Sequence, residues 1–168
     1  MKKILFAAVL MTMVGCQENK IAFVDNVKLM DEYQEKIDME SKFKTKAEAL
    51  NKTRDSISQA FQIEAQAFQS KADKMSQDQA QKEYGALQQR GQMIGQQLQQ
   101  QEQQLQSVSQ TEMDSIISKV KREIKAYGKD KGYTFILGGG EGGSVLYGDD
   151  SKDVTKEVLA ILNEKYKK

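Results

Sequence analysis

The chain has 168 residues, with 25 Lys and Arg against 24 Asp and Glu, no histidine and a single cysteine. These counts exclude a disulfide framework, a zinc cluster and any catalytic site that needs histidine. Hydrophobic residues make up 39% and aromatic residues 7%, which is too little bulky apolar material to bury most of the chain in one core. Removal of residues 1–15, which carry Lys2 and Lys3, would leave 23 basic side chains against 24 acidic ones, a balance that argues against nucleic acid as a partner.

The N-terminus has the pattern of an export signal. Two lysines precede an apolar stretch at residues 4–14, which is shorter than the about 20 residues needed to cross a bilayer. The stretch ends in MVGC at residues 13–16, which resembles the lipoprotein box, where a small residue precedes the cysteine that receives a lipid. We therefore predict a signal peptide over residues 1–15, lipidation at Cys16 and a polar tether over residues 16–19. An ordinary signal peptide with an incidental cysteine is the alternative.

Residues 20–26 and 27–72 are predicted to form a short strand followed by the first arm of a long helical hairpin. The run Ile21-Ala22-Phe23-Val24 is too short for a helix and is rich in strand formers. Beyond it, apolar residues recur at alternating three- and four-residue steps, a coiled-coil pattern that Arg54 interrupts. The apolar positions of this arm include Phe43, Ala47, Leu50, Ile57, Phe61, Ala65, Phe68, Ala72 and Met75.

The hairpin is predicted to turn near residues 72–77 and to return as a second long helix as far as Tyr127, so that residues 27–127 form the two arms. Ser76 followed by Gln79 fits a capping box, which predicts that the returning helix begins there. The apolar positions of this helix are Leu87, Ile94, Leu98, Leu105, Val108, Met113, Ile116, Val120, Ile124 and Tyr127.

Three glycines lie inside the returning helix, at Gly85, Gly91 and Gly95. Each costs about 1 kcal/mol relative to alanine in a helix interior. They indicate either tolerated sequence drift or close helix packing on the one hand, or a functional flexibility of the arm on the other, and both interpretations stay open at this point.

Residues 128–168 are predicted to complete a small body together with the N-terminal strand. Gly128 and Gly132 are expected to close the returning helix. Strands are predicted at residues 133–137 and 145–147, joined as a hairpin by a glycine-rich loop. A last helix follows, with Thr155 or Asp153 as its cap and Val158, Leu159 and Leu162 on one face. The predicted fold class is therefore α+β, with a small β-rich body and a long antiparallel, coiled-coil-like helical hairpin.

Three segments, with the helices between them, resemble the Skp (OmpH) family of periplasmic chaperones. They are KIAFVD at residues 20–25, AYGKDKGY at residues 126–133 followed by TFIL, and VLY at residues 145–147 followed by DVTKEVL at residues 153–159. The likeness covers nearly all of residues 20–165. It implies a homotrimer in which three small bodies form one core, while three helical hairpins hang from it like tentacles around a cavity.

In that family the cavity holds unfolded outer-membrane proteins and prevents their aggregation without ATP. The resemblance therefore implies a periplasmic holdase with unfolded outer-membrane proteins as its partners, and it carries over no catalytic, cofactor-binding or metal-binding residue. Two features depart from the family pattern. Well-known members are basic, whereas this chain is near neutral, and soluble members lack the lipid predicted for Cys16. Gln17 is not the Asp that retains many lipoproteins in the inner membrane, so anchoring in the outer membrane is permitted.

Two sets of residues are candidates for the contacts that such a function needs. Short strands have exposed edges and a thin core, so the body is expected to associate with further copies. The candidate oligomer core consists of Ile21, Phe23, Phe135, Leu137 and Leu146. The candidates for contact with a client, or for packing between the arms, are Phe61, Phe68, Met75 and Met93, and packing is the simpler interpretation of each.

Three other functions compete with this interpretation. The GGGEGG run at residues 138–143 lacks the Lys-Ser/Thr of a phosphate-binding P-loop, and the carboxylates of the arms have no apolar pocket around them, so an enzyme is not expected. A structural or adaptor coiled-coil lipoprotein of the cell envelope is the main alternative, although a plain spacer would not need the small body. A nucleic-acid binder needs a basic stripe, which the interleaved Lys and Glu of the arms do not form.

Overall fold

The computed structural model describes residues 19–167. Its elements are, in chain order, β1 (Ile21–Asp25), α1 (Asn26–Glu32), α2 (Gln34–Ala72), α3 (Gln77–Asp130), β2 (Phe135–Gly139), a single 3-10 turn (Asp150–Lys152) and α4 (Thr155–Tyr166). The predicted signal peptide, the lipidation site Cys16 and most of the predicted tether lie outside these residues. The chain folds into two compact units. The body comprises the described residues up to Glu32 and from Lys121 onward, and the hairpin comprises Tyr33–Val120.

The body is built around two parallel strands. β1 and β2 pair from Ile21 with Phe135 through Asp25 with Gly139. Parallel strands need a long connection between them, and the two long helices supply it. Ala22 and Val24 of β1 are each 1% exposed and form the core with apolar residues of the helices. The other core residues of the body are Leu29, Val154, Val158 and Leu162.

Hydrogen bonds join the N-terminus of α4 to β1. The N-cap of α4 is Val154, which makes no side-chain cap, so neither Thr155 nor Asp153 holds the predicted position. Asp153, one residue earlier, still accepts the backbone N–H of Thr155 through Oδ1 at 2.8 Å. The Thr155 hydroxyl, which is 1% exposed, accepts a hydrogen bond from the backbone N–H of Asp25 at 2.9 Å. On the same side of β1, the backbone N–H of Val154 donates to the carbonyl of Phe23 at 3.0 Å. These bonds fix the start of α4 beside the strand.

Helix α3 ends three residues later than predicted, and only one of its two expected closing glycines closes it. Gly132 has a φ of +69°, its N–H donates to the carbonyl of Lys129, and the N–H of Tyr133 donates to the carbonyl of Gly128 at 2.8 Å. This is the Schellman arrangement. The prediction for Gly128 is wrong, because it lies inside the helix with Ile136 packed over it. A methyl group built on Gly128 would lie 3.2 Å from Cδ1 of Ile136.

The predicted third strand at residues 145–147 is wrong, and with it the predicted hairpin. A single ladder-like bond forms, from the N–H of Val145 to the carbonyl of Gly138 at 3.1 Å. Gly140 and Gly142 have φ values of +80° and +77°, and the turn that they form brings Val145 back to Gly138. Residues 145–147 are not assigned to a strand, so the pairing ends there. Strand propensity does not hold a segment in a sheet without partners.

The first arm is not one continuous helix, which corrects the prediction of an unbroken helix from residue 27. Tyr33 separates α1 from α2 with extended backbone angles, φ −76° and ψ 115°. Its side chain is 1% exposed, and its hydroxyl donates a hydrogen bond to Glu35. Burial of the ring and a local partner for the hydroxyl accompany a break in the helix that the periodic pattern does not reveal.

The turn between the arms lies between Ala72 and Gln77, in the segment where the sequence places the tip. The N–H of Gln79 donates to Oγ of Ser76 at 3.3 Å, so the predicted cap is confirmed. The Gln79 side chain donates forward through Nε2 to Oε1 of Glu83 at 3.3 Å. The observed cap of α3 is thus the Ser76 hydroxyl.

Candidate functional site

The body carries an apolar surface on the outer face of its sheet. Alternation along the strands places Ile21 and Phe23 on this face, with Phe135 and Leu137 beside them in register. Ile21 is 42% exposed, Phe135 56% and Leu137 42%. Four of the five candidate oligomer-core residues thus share one face. A two-stranded sheet with large apolar side chains left open on one face is a typical interaction surface.

The loop after β2 contributes further exposed apolar side chains to the body. Leu146, the fifth candidate, is 99% exposed and Tyr147 is 90% exposed. The loop approaches the outer face at Gly148, where an added methyl group would overlap the ring of Phe23. Glycine is required at this position because the Phe23 ring occupies the space of a side chain.

The two helices of the hairpin bury side chains between them only at one end. Met39, Phe43, Ile116 and Val120 are buried near the ends of Tyr33–Val120. Between residues 44 and 115, all of which the structure describes, no side chain is buried. The apolar seam of the arms is therefore only half covered over most of its length. Two helices alone cannot enclose a core, so these side chains remain available for contact.

Ion pairs between the arms set their register. Lys42 pairs with Glu112 at 2.7 Å, and Glu64 pairs with Arg90 at 2.7 Å. Arg54, which interrupts the apolar pattern, pairs with Glu102 on the opposite arm. All these side chains are more than a third exposed, so the pairs add little to stability. Their value lies in opposing any shift of one helix along the other.

A less exposed ion pair lies at the closed end of the hairpin. Lys119 donates to both carboxylate oxygens of Glu35, at 2.5 and 2.6 Å. Burial by itself raises the pKa of Glu35, but the hydrogen bonds from Lys119 and Tyr33 outweigh it and hold that pKa below its usual value. The carboxylate of Glu35 is therefore a stabilising group in its charged form.

Neutralising Glu35 is expected to remove part of the acid sensitivity of the hairpin. When folding lowers the pKa of a group, the charged group stabilises the folded state, and this contribution is complete at pH values above the unfolded pKa. The contribution is lost as the pH falls through the pKa of the folded state. Urea unfolding should show the wild type losing stability as the pH falls below the unfolded pKa of 4.5, with a shallower loss in Glu35→Gln. Glu48→Gln, at an exposed position, is the matched control. Equal slopes for Glu35→Gln and the wild type would contradict the assignment.

The glycines of α3 differ in what surrounds them. A methyl group built on Gly91 would lie 2.9 Å from Cζ of Phe61, whereas nothing lies within 4 Å of one built on Gly85 or Gly95. Phe61 therefore packs across the seam onto Gly91, and close packing accounts for this glycine. Packing accounts for neither Gly85 nor Gly95.

Alanine substitutions at two of these glycines are expected to have different effects on stability. Gly95→Ala should raise the free energy of unfolding by about 0.5–1 kcal/mol, because alanine restricts the unfolded chain and meets no neighbour. Gly91→Ala should give no gain or a net loss, because the Phe61 ring must move. Denaturant unfolding of the two variants side by side measures the difference. An equal gain at both positions would show that Phe61 does not need the space above Gly91.

The distal part of the hairpin carries the other candidate side chains. Phe68 lies against Tyr84, with 6.2 Å between ring centroids. A groove of about 350 Å³ opens there, lined by Glu64, Ala67, Phe68, Lys71, Glu83, Ala86, Leu87 and Arg90. Met75 is half-buried at the turn, and Met93 is 56% exposed. Of the candidates, Phe61 and Phe68 therefore lie in the seam, while Met93 faces solvent.

Two exposed apolar residues of the hairpin were not among the sequence candidates. Ile63 is 60% exposed and Tyr84 is 52% exposed. Ile63 lies outside the three- and four-residue steps of the seam, and this departure from the repeat is the signal that could have identified it. Tyr84 lies three residues before Leu87 and so continues the steps of the second arm. Together with Met93 they place exposed apolar side chains on both arms.

The surfaces of the body and of the hairpin consist of apolar side chains among solvated charged ones, which suits them to binding by contact. Among residues 19–167, no group of three or more His, Cys, Asp or Glu side chains is placed to hold a metal ion. In the same range, no helix has an apolar stretch long enough to cross a membrane. The surfaces described above are therefore the candidates for function.

Comparison with known proteins identifies relatives of this chain. A family model described as "Outer membrane protein (OmpH-like)" matches residues 20–162. Among the matching solved structures is the 2.83 Å crystal structure of a protein from Caulobacter crescentus CB15, provisionally described as an OmpH-like outer membrane chaperone. The match has a TM-score of 0.78 at 16% identity and covers 90% of this chain and 88% of the other. At this identity the likeness shows the fold, and it confirms the predicted fold class. No curated protein matches the chain in sequence.

Proposed function

We propose that this chain, which belongs to the OmpH-like outer membrane protein family, is an ATP-independent holdase. Its clients would be unfolded outer-membrane proteins, which it would bind and keep from aggregating. Unfolded barrel strands alternate apolar and polar side chains and associate easily through their edges. A protein that shields them needs many weak contacts rather than one deep pocket.

The half-open seam of the hairpin is the observation that carries this proposal. Between residues 44 and 115 the arms bury no side chain, although apolar residues recur along both helices. Ile63, Tyr84 and Met93 add apolar side chains that are more than half exposed. The charged residues around them keep the arms soluble while they remain open for contact. Such a mixed surface suits a mobile, extended client better than a folded partner with a fixed shape.

We propose a homotrimer as the working form, joined through the outer face of the sheet. The exposed Ile21, Phe135 and Leu137 on that face support this assembly, because association would remove them from water. Leu146 and Tyr147 on the following loop would extend the same contact. Three copies would supply three hairpins and so a shared space for one client.

We further propose that the protein acts in the periplasm, held to a membrane by a lipid on Cys16. The signal-like residues 1–15 and the MVGC sequence support this. One acyl chain gives only marginal binding, but the several chains of a bacterial lipoprotein anchor stably. Radiolabelled palmitate should be incorporated into the wild type but not into Cys16→Ser.

An aggregation assay tests the central proposal. A denatured outer-membrane barrel protein is diluted into buffer without ATP, and light scattering is followed with and without the mature chain. A holdase suppresses scattering at near-stoichiometric amounts. A structural or adaptor lipoprotein leaves scattering unchanged, and that outcome would overturn the proposal.

A further inference from the structure

The C-terminal end of α3 carries a basic groove on the body. Lys121, Lys125 and Lys129 lie four residues apart, so they share one face of the helix. They line a groove of about 320 Å³, together with Ile124, Gly128, Tyr133, Thr134 and Ile136. All three lysines are exposed. Positive side chains thus run beside a partly apolar floor.

Within the described part of the chain the three groove lysines make no ion pair of their own, although burial and the nearby carboxylates of Glu157 and Asp130 raise the pKa of the adjacent Tyr127. Asp130 pairs with Lys131 at 3.3 Å, and Glu123 pairs with Lys165 at 2.6 Å. Among residues 19–167, none of the three groove lysines has an ion pair. Lys129 lies in the last turn of α3, where a positive charge interacts favourably with the helix dipole. This interaction is confined to the last turn and does not reach Lys121 and Lys125.

The groove continues toward the N-terminus of the described chain. Lys20 donates through Nζ to the carbonyl of Lys131 at 2.9 Å, and the same Nζ lies 4.2 Å from the centre of the Tyr133 ring. Tyr133 stacks with Tyr127 at 6.0 Å between ring centroids. Lysines beside tyrosines are the side chains found where a protein meets the headgroup region of a membrane.

The position of the predicted lipid brings this groove close to a bilayer. Cys16 precedes Lys20 by four residues, and a chain of that length spans at most about 14 Å. A lipid on Cys16 would therefore hold Lys20 and the adjacent groove near the headgroups. Charges within about 10 Å of an anionic surface feel its attraction.

We propose that the groove formed by Lys121, Lys125 and Lys129 is a docking surface for anionic phospholipid headgroups, which orients the anchored body on its membrane. The inference rests on the lipid anchor of the proposed function and adds a second contact to it. One acyl-modified tether leaves a protein free to rotate. A basic surface beside the tether removes that freedom and keeps one side of the body on the bilayer.

Vesicle binding of the mature chain tests this inference without any client. The protein carries Cys16→Ser, so that binding reports the protein surface and not the lipid. Vesicles of phosphatidylcholine with phosphatidylglycerol are compared with vesicles of phosphatidylcholine alone, and partition coefficients are measured by co-sedimentation. Preference for the anionic vesicles is expected at low salt and should fade at high salt.

A triple substitution and a matched control locate the surface. Replacing Lys121, Lys125 and Lys129 by Gln should lower the partition coefficient about 100-fold, at about fivefold per lysine. The control replaces three exposed lysines of the hairpin by Gln and changes the net charge equally: Lys44, Lys52 and Lys74. It should lower binding by less than about twofold, since these lysines lie outside the groove.

Three results would overturn the inference. The groove and control variants could lose binding equally, which would make the effect one of net charge. The unsubstituted chain could show no preference for anionic vesicles, or it could bind inorganic phosphate in place of vesicles. Each of these outcomes leaves the aggregation assay untouched, so this inference and the proposed holdase function fail separately.

Discussion

Leu137→Asp is expected to convert the proposed homotrimer into a folded monomer. Leu137 lies on the outer face of the sheet and is 42% exposed in the isolated chain, so a charge there is tolerated by the fold. In an oligomer joined through this face, the same charge would be buried without a partner. That costs several kcal/mol for each copy, in addition to the about 1.5–3 kcal/mol of apolar burial that is lost.

Mass measurement in solution distinguishes the outcomes. Light scattering coupled to gel filtration should give three chain masses for the wild type and one for Leu137→Asp, with unchanged helical circular dichroism. Val27→Asp is the control, because Val27 is also exposed on the body, at 43%, but belongs to α1. A Leu137→Asp protein that keeps the wild-type mass would remove the sheet face as the site of association.

Replacing the exposed apolar residues of the arms is expected to abolish most of the protection of clients. Ile63→Gln, Tyr84→Gln and Met93→Gln together remove side chains that are 60%, 52% and 56% exposed. Each contributes about 1 kcal/mol if a client covers it. Because a mobile client readjusts, we expect the concentration needed for half-suppression of aggregation to rise about tenfold.

The control variant for this experiment keeps the apolar residues and changes polar ones. Gln66→Ser, Gln81→Ser and Gln97→Ser alter exposed positions on the same two helices and should leave the suppression curve unchanged. Oligomer mass and urea midpoints are compared first, so that loss of protection is not loss of structure. Equal protection by the two triple variants would show that clients bind elsewhere.

Seam residues are expected to respond differently from the exposed residues Ile63 and Met93. Phe61 packs against Gly91, and Phe68 packs against Tyr84. Truncation of either phenylalanine would loosen the hairpin before it affected a client. The simpler interpretation of these two sequence candidates, packing between the arms, therefore has direct contacts in its favour. Met93 has the exposure that a contact residue needs.

The sequence by itself determined the long helices, the turn between them and several of their ends. The apolar repeat, the Ser76 cap and the Gly132 closure all act between residues close together in the chain. Local preferences of this kind are present before the chain folds, so they can be identified from the order of residues.

Tertiary structure alone decided the helix break at Tyr33, the place of Gly128 inside α3 and the absence of a strand at residues 145–147. It also decided that the seam of the arms stays half open and that the outer face of the sheet is uncovered. Each of these features depends on contacts between groups that are distant in the chain. Ile136 packs over Gly128, for example, and residues 145–147 form one hydrogen bond where a strand needs several. The free energy of such contacts arises only when the folded chain brings them together, and no local pattern encodes it.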